Sequence, residues 1–131
     1  MNEEKPCACS ISPKLIFACS GAADTGEIAD LAARKLTRDK IGTMYCLAGI
    51  GGRISGIMKS TQSAAGLVAI DGCPLDCAAH TLDQAGFNNF KHIRITDLGM
   101  IKGKTPVTDD NVGRVYHEVS EILKTISEGV K

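Results

Sequence analysis

Tryptophan is absent from this 131-residue chain, two tyrosines and three phenylalanines are its only aromatic residues, and neither sign of charge is in excess. Fifteen Lys and Arg balance fifteen Asp and Glu, so the formal charge is zero. A protein that neutralises a phosphate backbone or an anionic membrane face carries a basic surplus, and this composition has none. No nucleic acid and no membrane partner is expected. Long apolar runs are missing as well: Leu15 to Cys19 and Leu67 to Ile70 fall far short of the ~20 residues of a membrane-spanning helix. The first fourteen residues, with Glu3, Glu4, Lys5, Pro6 and Pro13, hold no apolar stretch of the kind a secretory signal needs. The expectation is a soluble, cytoplasmic protein.

With 44% apolar and 23% charged residues in 13.8 kDa, the chain has the mixture of one globular domain. Residues 1–13 read as a polar N-terminal arm and 14–131 as a single α/β domain. Lys14 to Cys19 is a short apolar run ended by Ser20-Gly21, as in a strand buried on both faces. Asp24 with Glu27 three residues later predicts a capped helix carrying Ile28, Leu31, Ala32 and Leu36 on its apolar stripe. Ile41 to Ala48 reads as a second strand, broken by Gly49 to Gly52 before a short helix marked by Ile54, Ile57 and Met58. Gly66 to Ile70 reads as a third strand, followed by a helix with Leu75, Ala78, Ala79 and Leu82. Phe90 to Thr96 alternates as a half-exposed edge strand, and Asp109-Asp110 opens a long amphipathic helix through Ile126. Strand and helix alternating at this spacing predict a three-layer sandwich around a four-stranded parallel sheet, order 2-1-3-4 favoured.

Six cysteines then stand out: Cys7, Cys9, Cys19, Cys46, Cys73 and Cys77. A domain of this size buries roughly two thirds of its unfolded surface and needs no disulfides, so metal ligation, thiol chemistry or simple burial remain. Cys19, Cys46 and Cys73 fall at or just beyond the ends of three successive strands, the rim where α/β sheets build their sites. With Pro74 at a first helical position, Cys73 reads as an N-cap and Cys77 lies one turn on, where the helix dipole favours thiolate. Their three-residue gap suits zinc and differs from the two-residue gap of a thioredoxin-type motif. Sulfurs around zinc lie about 3.8 Å apart, whereas strands two and three would be roughly 9.6 Å apart, so Cys46 should sit where the chain is already curling over.

Cys19-Ser20-Gly21, Cys46-Leu47-Ala48, Asp71-Gly72-Cys73 with Cys77, and Asp97-Leu98-Gly99 together resemble the DGC domain family, small proteins described as zinc-binding and named for the Asp-Gly-Cys motif. The resemblance runs from Lys14 almost to the end of the chain. It implies four metal ligands, Cys19, Cys46, Cys73 and Cys77, and supplies no reaction.

Other features carry weaker expectations. Cys7 and Cys9 could add thiolates or hold a second metal, and His80 shares a helix face with Cys77 as a further ligand or a hydrogen-bond donor to one. His92 and His117 read as surface residues. Gly49 to Ile54 lacks the third glycine and the distant acid of a dinucleotide fingerprint, yet Gly51 and Gly52 could offer amides to an anion. Cys19 to Thr25 resembles a phosphatase loop but has threonine where the phosphate-gripping arginine belongs. Asp97 to Asp110 is long for a connection and reads equally as a flap over the rim or a plain surface loop. The expectation is a cysteine-rich zinc-binding protein, a binder, carrier or sensor with a metal ion as partner; other thiophilic metals or an iron–sulfur cluster also suit four thiolates. The alternative is a thiol-dependent redox or detoxification enzyme using Cys73 or Cys77.

Overall fold

Alternation along two apolar runs decides the layering. In the computed structural model, which describes residues 12–127, strand β1 (Lys14–Ala18) turns Leu15 and Phe17 to one face and Ile16 and Ala18 to the other. Strand β3 (Gly66–Asp71) divides Leu67 and Ala69 from Val68 and Ile70 in the same way. Paired in parallel, Leu15 with Leu67 and Phe17 with Ala69, these strands form the centre of a four-stranded sheet of order β2-β1-β3-β4. The edges are β2 (Thr43–Met44) and β4 (Lys91–Arg94), both parallel to their neighbours. Helices α1 (Asp24–Arg38) and α5 (Asp109–Lys124) cover one face with Ile28, Leu36, Val115 and Leu123. Helices α2 (Leu47–Gly51) and α4 (Cys77–Gln84) cover the other with Ile50, Ala78 and Leu82, and α3 (Ser55–Gln62) adds Ile57 and Met58. The α/β sandwich and the strand order are those the sequence predicts. No helix among the described residues is long and apolar enough to cross a membrane.

Four local expectations are corrected. The second strand is two residues long, because the Met44 amide donates to Thr37 Oγ1 of α1 and Leu47 already begins α2; Gly49 and Gly51, expected to break the chain, are helical. The N-cap of α1 is Ala23, one residue before Asp24, whose carboxylate accepts the adjacent Thr25 amide at 2.7 Å and also reaches out of the helix. Strand β4 stops at Arg94, where the chain tightens into a 3₁₀ turn, Ile95–Leu98. Helix α4 starts at Cys77, since Asp76 is left-handed (φ 55°) and ends a turn closed by its amide donating to the Cys73 carbonyl at 3.2 Å. Cys73 is therefore not an N-cap, and Pro74 lies in that turn.

A thiol rim and its carboxylate network

Parallel strands end on one rim, and the chain leaves that rim at Cys19 after β1, Cys46 after β2 and Cys73 after β3. Cys46 is the N-cap of α2, beyond its strand, and its sulfur accepts the Gly49 amide at 3.3 Å. Cys19 is half-buried and its sulfur accepts the Gly72 amide at 3.3 Å, joining the β1 turn to the Asp-Gly-Cys turn. Cys73 is half-buried with Lys102 Nζ 3.6 Å from its sulfur, and Cys77 is exposed as the first residue of α4. All four thiols are free. His80 is exposed on α4. Cys7 and Cys9 lie outside the described residues. Gly51 ends α2 and Gly52 is its C-cap, so this segment presents carbonyls, which the Arg53 guanidinium meets at Ile50 (2.8 Å) and Gly51 (3.3 Å).

Each residue of the Asp-Gly-Cys turn has a separate structural duty. Asp71, 1% exposed, accepts the Ala78 amide at 2.7 Å and the Ala79 amide at 3.1 Å, so a strand residue satisfies two of the free donors in the first turn of α4. Gly72 lies against the start of α1: a Cβ there would fall 2.8 Å from the Gly26 nitrogen and the Thr25 carbonyl carbon. Only glycine lets the two backbones meet, which is what carries Cys73 to the rim beside Cys19.

Sequence reasoning missed the network around Asp71. His92 Nε2 lies 2.8 Å from Asp71 Oδ2 and 3.7 Å from Asp76 Oδ1, while Arg94 grips both Asp76 oxygens at 2.8 and 2.6 Å. The Arg94 hydrogen bonds hold the Asp76 carboxyl below its ordinary value, and the same pairing raises the Arg94 guanidinium. Asp71, Asp76 and His92 bring three ligating atoms within 4.8 Å of one another, and no cysteine joins such a group among the described residues. The signal was present as parity: His92 and Arg94 alternate with Ile93, and the register sets Arg94 opposite Asp71. Without the register, His92 looks like any polar residue of an edge strand.

The Asp97 to Asp110 segment is tied to the rim. Asp24 Oδ1 accepts the Gly103 amide at 2.9 Å and Oδ2 the Thr105 amide at 3.0 Å; the Gly103 bond chiefly holds the Asp24 carboxyl below its ordinary value. With Met100 and Thr105 buried as well, the loop is anchored at its base and delivers Lys102 to Cys73. Beside β2, a cleft of about 900 Å³ includes Cys19 and Cys46 in its lining.

A doubly wound α/β domain with thiols at the carboxyl rim of its sheet is the class that fold and site define. The chain belongs to the DGC domain family, whose signature matches residues 15–119. It is 31% identical over 88 residues, 67% of either chain, to the anaerobic and virulence modulator AnvM of Pseudomonas aeruginosa. No solved structure matches it.

Proposed function

We propose that this protein binds zinc through Cys19, Cys46, Cys73 and Cys77, and acts as a metal carrier or sensor in the cytoplasm. The observation that carries the reading is the placement of a thiol at the carboxyl end of each of three adjacent strands, with two of the sulfurs already accepting backbone amides. Thiolate is the donor that zinc takes in closed sites, and these amides are already placed to hydrogen-bond two of the ligating sulfurs. Four free thiols also suit a reducing compartment. The name of the relative, an anaerobic and virulence modulator, fits a sensor.

The carboxylate group beside the rim is a poorer candidate for the metal. Asp71 is already engaged by two helix amides and His92, and Asp76 by both arms of Arg94, whose fixed positive charge opposes a dication. Its role in this reading is to hold the Cys73 and Cys77 turn in place, as hydrogen-bond partners beyond the ligands do in metal sites. Since zinc brings sulfurs to about 3.8 Å, loading draws the exposed Cys46 and Cys77 side chains inward.

Elemental analysis of protein purified without oxygen tests the proposal, with about one zinc per chain expected. Cys73→Ser and Cys77→Ser should weaken zinc affinity more than Cys7→Ser or Cys9→Ser. A chelator should remove the metal while far-UV circular dichroism is preserved, because the buried core is built from apolar side chains on both sheet faces and, of the four proposed ligands, only Cys19 packs against it. Metal-free protein whose six thiols all titrate and which takes up no zinc overturns the reading; cooperative unfolding on chelation overturns the carrier and sensor roles.

A further inference from the structure

We propose that the cleft between α1 and the β2–α2 turn binds a small organic anion, a carboxylate or phosphate head on a short apolar body, with Arg34 and Arg38 as its head-group ligands. The inference goes beyond the metal reading and needs no thiol. Asp30, Arg34, Thr37 and Arg38 recur at i, i+4, i+7 and i+8 of α1 and all line this cleft, so one helix face supplies its charged wall. Two guanidiniums against one carboxylate leave that wall with one positive charge in excess. Arg34 is held by Asp30 at 2.6 Å, and Asp30 in turn accepts Ser20 Oγ at 2.7 Å, so the first guanidinium is oriented. Arg38 makes no hydrogen bond or ion-pair contact to a carboxylate among the described residues; the adjacent Asp39 is hydrogen-bonded by Lys35 and Tyr116 and feels Arg38 only through its charge. A planar guanidinium with free N–H groups beside a concavity is the usual receiver of carboxylate and phosphate.

The opposite wall is apolar and already shaped. Met44, Tyr45 and Leu47 line it. Tyr45 is held edge to face against Phe17 with ring centroids 6.2 Å apart, and the Met44 amide is bonded to Thr37 Oγ1 at 2.8 Å, which ties the two walls together. An ion alone would leave this wall bare, whereas an aryl or alkyl body would cover it. The volume of about 900 Å³ accommodates a molecule of that size. A ligand seated there would also lie across Cys19 and Cys46, which belong to the same lining, and away from Cys77, which does not.

The test is a calorimetric titration of chelator-treated full-length protein at constant ionic strength with phenyl phosphate, benzoate and inorganic phosphate. Saturable binding of phenyl phosphate or benzoate is expected, the better of the two reporting which head group fits, with inorganic phosphate about tenfold weaker. Arg38→Ala should weaken the organic probe about tenfold, and Asp30→Asn, which frees Arg34, should strengthen it. Bound probe should slow iodoacetamide labelling of Cys46 and leave that of Cys77 unchanged. The proposal fails if neither organic probe saturates the wild type, if Arg38→Ala and Asp30→Asn both bind as the wild type does, or if Cys46 is labelled at the same rate with probe present. Because zinc is removed throughout, its outcome is separate from that of the metal proposal.

Discussion

Replacing Asp71 by Asn changes one atom for another of nearly the same size and removes the charge from a carboxylate that is 1% exposed. Three donors converge on it: the Ala78 amide at 2.7 Å on Oδ1, and the Ala79 amide at 3.1 Å and His92 Nε2 at 2.8 Å on Oδ2. The asparagine side chain has one carbonyl oxygen, and whichever way it is turned its NH₂ faces one helix amide donor to donor. A hydrogen bond to a charged acceptor contributes ~1.5–3 kcal/mol, and leaving a buried N–H unpaired sits at the upper part of that range, so the expected loss is about 3 kcal/mol. Against the marginal stability of a domain this is large, and the melting temperature should fall by roughly 10 °C. Urea unfolding followed by far-UV circular dichroism measures the change directly. The first turn of α4 should fray as well, so that Cys77 alkylates faster in the variant under native conditions. A loss under about 0.5 kcal/mol would refute the reasoning, because it would mean that the capping amides find water or another acceptor.

Gly72→Ala places a Cβ 2.8 Å from the backbone of α1 and should cost about 2 kcal/mol, while Gly113→Ala in α5, where nothing lies within 4 Å, should be neutral or stabilising; thermal unfolding of the pair checks the contrast. Asp24→Asn weakens the clamp on Gly103 and Thr105, so limited trypsin digestion should cut after Lys102 or Lys104 sooner than in the wild type. The Asp76 carboxyl is depressed below 3.8 chiefly by the Arg94 hydrogen bonds, so its contribution is complete above that pH and lost as pH falls through the folded value. Arg94→Gln should therefore show a shallower fall in melting temperature than the wild type between about pH 4 and about pH 2, and parallel curves would contradict the assignment.

Periodicity and spacing alone determined the class of fold, because residues alternating in and out of a core leave a record along the chain. The apolar runs of β1 and β3, the stripes of α1 and α5 and the turn residues between them were sufficient for an α/β sandwich. The same reading put Cys19, Cys46 and Cys73 on one rim, since a parallel sheet sends every strand end to the same side. Tertiary structure decided what was local in appearance but set by distant partners. Asp71, not Cys73, caps α4, and Asp24, besides accepting the adjacent Thr25 amide of its own helix, holds a loop some eighty residues away. His92 faces Asp71 only because β4 pairs with β3 in one register. Gly72 is required by the backbone of α1, which no neighbouring residue announces. A carboxylate or an amide accepts whichever partner the fold brings within 3 Å, and that proximity is a property of the packed layers, not of the spacing along the chain.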